Sequence, residues 1–198
     1  MYLKSYFEVY ELSLMLLLAL ASAMLNTYLP IKAFTQWLGV PGPAAGMAFL
    51  GGFIFVFWVA LAHVIIKKRY AGIVTALLIA SFCIIITPWY GIVSPIWFGG
   101  YAIAALVSMG IIVELTATAS ASKSKSKSKS RSRVRVVTVT GGGLGNVACL
   151  GITWIAIGVH AGVWVPSKWA PILILGAFVS GCVGSLLAYF LSLLVRGE

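Results

Sequence analysis

Six long apolar stretches separated by short polar joints leave this chain no route to a water-soluble fold: Glu11–Tyr28, Ala44–Ile66, Ala71–Thr87, Trp97–Ala117, Val136–Val159 and Trp169–Val195. Crossing the hydrocarbon core takes about 20 apolar residues, and backbone inside lipid must satisfy its own hydrogen bonds. Each stretch is therefore expected to form one transmembrane helix. Composition agrees, because 61% apolar residues against 9% charged ones cannot cover a globule in water. The expected fold is all-α, a polytopic membrane bundle of about six helices forming a single transmembrane domain over residues 1–198.

Charge orients that bundle. Half of the fourteen basic residues sit in the run Ser122–Arg135, SKSKSKSKSRSRVR, between the fourth and fifth stretches. Lys67, Lys68 and Arg69 follow the second stretch, Arg196 follows the sixth and Lys4 precedes the first, whereas the opposite face keeps Lys32 and Lys168. Basic loops stay on the cytoplasmic side, so both termini and the low-complexity segment 120–135 are assigned to the cytoplasm. That segment reads as a disordered connector which also attracts anionic headgroups, making membrane lipid a partner. The net charge of +10 is concentrated in these topology-setting tracts, and no nucleic-acid partner is inferred. The loops Leu29–Pro43, Pro88–Ile96 and His160–Lys168 then face outward. A cleavable signal reading of Leu12–Leu20 and Ala21-Ser22-Ala23 fails on Glu8 and Glu11, which are acidic where basic residues belong.

Reactive constellations are scarce. The acids are Glu8, Glu11, Glu114 and Glu198 and the histidines His63 and His160, with no HExxH, GxSxG or phosphate-loop pattern. No enzyme activity, catalytic residue, metal or cofactor is expected. Cys83, Cys149 and Cys182 lie inside apolar stretches without CxxC spacing and read as small core residues. Gly143, Gly145 and Ala148 imitate a dinucleotide turn, but no Asp occurs in the chain and no acid follows at the ribose distance. Those glycines fit close helix packing instead. Glu114, near the cytoplasmic end of its stretch, is expected to snorkel or pair with Lys or Arg, and His63 likewise.

Polar and aromatic residues do recur at helical spacing in the outer half. Asn146, Thr153 and His160 are seven apart, forming a stripe from mid-membrane to the outer mouth, which Trp164 continues. Trp97, Tyr101 and Ser108 share a face of the fourth helix and begin at the same mouth. Two such stripes would line a pocket that stacks a planar ring and hydrogen-bonds its edge. The same residue types also furnish the interfacial aromatic belt and tie helices together. Asn26, Gln36 and Trp37, in or beside the first outer loop, are candidates for a lid. Ala19 and Ala23 form a small-xxx-small surface on the first helix. Gly176, Ser180, Gly184 and Ala188, with Ala177, Gly181 and Ser185 beside them, make two such rows on the last.

Taken together, these features resemble the substrate-binding S component of energy-coupling-factor (ECF) transporters: about six helices, both termini inside, a long first outer loop and the Ala19-xxx-Ala23 pair. The stretch from Gly42 to Val113, with its basic turn Lys67-Lys68-Arg69 followed by Tyr70-Ala71-Gly72, is similar to S components assigned to thiamine or its hydroxymethylpyrimidine precursor. Tyr70 stands where that turn carries proline, and the Ser/Lys run is an addition. The resemblance implies capture of a vitamin-like solute from outside, with Asn146, Thr153, His160, Trp164, Trp97, Tyr101, Gln36 and Trp37 as ligand-side candidates. It also implies partners, a transmembrane T component contacted through Ala19 and Ala23 and two ATP-binding subunits, in a prokaryotic plasma membrane. A stand-alone secondary transporter and a membrane scaffold are the rival classes; for the first, the sequence offers only Glu114 as an intramembrane acid.

Overall fold

Helix follows hydropathy closely. The structure, a computed structural model, describes residues 6–31, 33, 42–86, 95–122, 127–162 and 164–196, and among them there is no strand. Helix α1 spans Val9–Tyr28. A second rod is built from α2 (Gly42–Gly51), a π-helical turn (Gly52–Val56) and α3 (Phe57–Ile66). Then follow α4 (Ala71–Ile85), α5 (Pro95–Ser122), α6 (Lys127–Ala161) and α7 (Ala170–Arg196). Among the described residues, five apolar helical segments are long enough to cross a membrane, namely Val9–Tyr28, Ala45–Ile66, Gly100–Ala119, Val136–His160 and Ala170–Leu194, and α4 is a shorter apolar helix. At 1.5 Å per residue α4 measures about 22 Å, less than the roughly 30 Å hydrocarbon core. The chain thus has the architecture of a multi-pass membrane protein.

The α2–π–α3 rod is the hub. It touches α1, α4, α5, α6 and α7, and these five pack in succession around it. Its Met47, Ile54, Phe55, Val56 and Val59 are fully buried. Because lipid tails are as apolar as the core, helices in a bilayer associate through close packing and interhelical hydrogen bonds. The glycines supply the first: a methyl group at Gly52 would collide with the Ser180 carbonyl, and one at Gly142 with the Ser185 hydroxyl. Serines supply the second. A π turn shifts the backbone ladder by one residue and leaves polar groups to be satisfied elsewhere. Ser180 accepts from the Gly52 N–H at 3.0 Å, and Ser22 of α1 donates to the Ile54 carbonyl at 2.6 Å.

Contacts gather the basic elements at one end. Lys68 Nζ lies 2.7 Å from Glu11 at the start of α1, and Gly141 of α6 sits against Thr116 of α5. Helix α7 runs the same way as α5, carrying Arg196 towards that end. Following the charge rule, this is named the inner end and the other the outer end. The basic run departs from expectation. Rather than an irregular connector, its second half is helical, since α6 starts at Lys127. Lys and Arg are good helix formers and no Gly or Pro interrupts 127–140, so helix propagates outward from the membrane segment without a new nucleus.

Candidate functional site

Two groups of polar and aromatic side chains lie at opposite ends of the bundle. At the inner end α3 stops at Lys67 and α4 starts after Tyr70, both residues in the left-handed region with φ of 56° and 70°. No side chain of the turn itself caps α4. Glu114 of α5, buried in the bundle, does so from a neighbouring helix. The Tyr70 N–H donates to its Oε1 at 3.0 Å and the Gly72 N–H to its Oε2 at 3.1 Å. Helix N-termini present unsatisfied N–H groups and partial positive charge, which suits a carboxylate there. His63 Nδ1 lies 3.1 Å from the same Oε2, within hydrogen-bond distance of the carboxyl group. Gly72 leaves the space this needs, as a Cβ there would sit 3.2 Å from Oε2.

Beside this knot, Lys68 pairs with Glu11, which also accepts from the Glu8 N–H at 2.8 Å. The hydrogen bond to Glu11 is the main reason the Lys68 ammonium is held above its ordinary value. One carboxylate from α1 and one from α5 therefore fasten the short α3–α4 turn. Glu114 pairs with His63 and with backbone, so neither residue snorkels or meets Lys or Arg. Nothing in the sequence marked Tyr70 and Gly72 as the missing donors; the one available signal was a helix start without a capping side chain, opposite a membrane acid.

At the outer end the two stripes partly converge. The rings of Tyr101 (α5) and His160 (α6) meet edge to face, with centroids 5.0 Å apart. The chain leaves α6 at Gly162, whose φ of +65° turns it back, and Trp164 then lies over Gly158. A Cβ at Gly158 would come within 2.6 Å of three indole atoms, so that glycine is the seat of the ring. Trp164 is 64% exposed and His160 is exposed as well. Trp97 lies in the first turn of α5, where only the backbone is described, and Gln36 and Trp37 lie outside the described residues.

Other members of the stripes are occupied elsewhere. Asn146 is fully buried roughly 21 Å below His160 along the helix axis, where α2, α6 and α7 meet. Its amide donates to the Ala177 carbonyl at 2.9 Å and towards that of Met47 at 3.4 Å, while Oδ1 has no hydrogen-bond partner and faces Gly51. It therefore ties helices together instead of reaching the mouth. Thr153 donates back to the Cys149 carbonyl of its own helix at 2.8 Å, and Ser108 does the same to Ala105. Asn26 is buried with its amide 3.6 Å from the Cys83 sulfur, joining α1 to α4, and is not a lid. Ala19 and Ala23 are fully buried too, so this small-residue face packs inside the chain and is not presented to a partner.

No protein-family profile, curated protein or solved structure matches the chain.

Proposed function

We propose that this protein is the solute-capturing S component of an ECF-type uptake transporter in a prokaryotic plasma membrane, taking a small planar vitamin or vitamin precursor from the outer side. The observation that carries the reading is the meeting of Tyr101 and His160, from two different helices, at the end opposite the basic tracts, with Trp164 near the end of the same α6 stripe. Aromatic edges and an imidazole at the mouth of a bundle suit a flat heteroaromatic ring that stacks on one side and hydrogen-bonds at its rim. The Lys67–Gly72 turn that carries the sequence resemblance adds support, being fastened by Glu114 and Glu11 into one defined conformation. Energy would come from a T component and ATP-binding subunits. Their contact surface is not Ala19 and Ala23, which lie inside the bundle.

A second reading has one observation in its favour. A carboxylate–imidazole pair between two membrane helices is a common proton site, and Glu114 with His63 would serve a stand-alone, proton-coupled transporter. It ranks second because two backbone N–H groups of the α4 start also bind that carboxylate.

The test is equilibrium binding of thiamine, its hydroxymethylpyrimidine and riboflavin to the purified protein. At least one is expected to bind, and His160→Ala to weaken it about tenfold. Absence of binding across the panel would overturn the reading in favour of a scaffold. Solute accumulation in proteoliposomes driven by a proton gradient, without ATP-binding subunits, would favour the second reading.

A further inference from the structure

The inner end of α6 has a geometry that the solute reading does not use. Antiparallel packing fixes its height relative to α5: Gly141 lies against Thr116, and Gly145 against Met109 and Val113. Equal steps along both helices put Ser122, the last helical residue of α5, level with Arg135. Residues 127–134 of α6 therefore project beyond α5 by about 12 Å. The apolar span of α6 begins at Val136, so this projection starts at the membrane boundary. It carries Lys127, Lys129, Arg131 and Arg133, with Arg135 at its base.

The spacing of these cations selects their partner. Basic residues two apart on a helix are about 200° apart around its axis, so Lys127, Arg131 and Arg135 fall on one side and Lys129 and Arg133 on the other. A protein groove would engage one side and leave the other unmatched. A helix rising through a layer of anionic headgroups meets negative charge all round. The headgroup region is about 5–8 Å deep per leaflet, the rise of helix backbone from position 135 to position 131, with positions 129 and 127 in register just past it. Arginine is also the residue whose planar fork grips a phosphate with two parallel hydrogen bonds, whereas lysine acts as a point charge. Two more cations at this end, Lys67 and Arg69, are exposed on the α3–α4 turn, while Lys68 is engaged by Glu11.

We propose that the inner end of α6, residues 127–135, is a binding site for anionic phospholipid headgroups, argued from the register of its five basic residues along a helix whose backbone alone is described there. The site is independent of the solute reading.

The test places the whole chain in nanodiscs of mixed phosphatidylcholine and phosphatidylglycerol, then quantifies lipid retained after mild detergent extraction. Phosphatidylglycerol is expected to be enriched at least about threefold over its share of the mixture, with the enrichment falling as salt rises. The triple variant R131Q/R133Q/R135Q should return it to that share, and R131K/R133K/R135K should keep part of it. Inorganic phosphate should compete no better than chloride at equal ionic strength; stronger competition would mean a free-anion site and overturn the proposal. So would lack of enrichment in the unaltered protein, or enrichment that survives the triple glutamine variant. Tighter binding of a single-stranded oligonucleotide than of phosphatidylglycerol, lost in the same variant, would assign the surface to nucleic acid instead.

Discussion

At the inner end, Glu114, His63, Glu11 and Lys68 direct their polar atoms at one another and at the backbone of a neighbouring helix start. At the outer end, Tyr101, His160 and Trp164 touch by ring edges or rest on a glycine, and His160 and Trp164 stay exposed. The difference follows from what each chemistry tolerates in a bilayer. A carboxylate in a low-dielectric span must be surrounded by donors, and meeting that need locks the local geometry. An aromatic ring at the interface needs no such partners and remains available. The inner end thus holds the fold, and the proposed solute would meet the opposite end.

The sharpest way to break this division is through the packing beneath it. Gly52→Leu forces a side chain into the Ser180 carbonyl, where neither backbone has room to withdraw. The expected cost is above about 4 kcal/mol, seen as loss of the monodisperse folded species in detergent. A well-folded Gly52→Leu protein would show that the rod and α7 are not in backbone contact.

Glu114→Ala comes next, because it leaves two backbone N–H groups and the His63 ring without their partner at once. About 3 kcal/mol of destabilisation is expected by thermal unfolding, with Glu114→Gln losing roughly half as much. Combined with His63→Ala, the effects should fall short of additive, since both residues share one contact. Strict additivity would separate His63 from the knot.

Asn146→Leu tests which side of the division mid-bundle polarity belongs to. It removes two interhelical hydrogen bonds but also a buried oxygen without a partner, so about 1 kcal/mol is expected. Solute affinity should stay within about twofold. A large loss of affinity with unchanged melting would return Asn146 to the binding stripe.

Much of the fold was readable because apolar length dictates helix in lipid. The six stretches reappear within a few residues at most ends, α4 starting at Ala71 and α1 ending at Tyr28 as expected. What hydropathy could not show was helix outside the membrane, so α6 begins nine residues before Val136, inside the basic run. Nor could it show the π turn, since Gly52–Val56 is as apolar as its flanks and the serines that satisfy it, Ser22 and Ser180, lie far off in sequence. The candidate site was half legible. Seven-residue spacing placed Asn146 and His160 on one face of α6, but periodicity carries no depth. It could not distinguish the buried amide at a three-helix junction from the exposed ring at the mouth.

The most direct measurement is a pair of numbers on each of three proteins: the dissociation constant for the best-binding member of the thiamine, pyrimidine and riboflavin panel, and the melting temperature. For the double variant Tyr101→Ala/His160→Ala, affinity should fall about tenfold or more while melting stays close to that of the unaltered protein. Glu114→Gln should do the reverse, melting earlier with affinity preserved. Wild-type affinity in the outer double variant would contradict the assignment of the two ends.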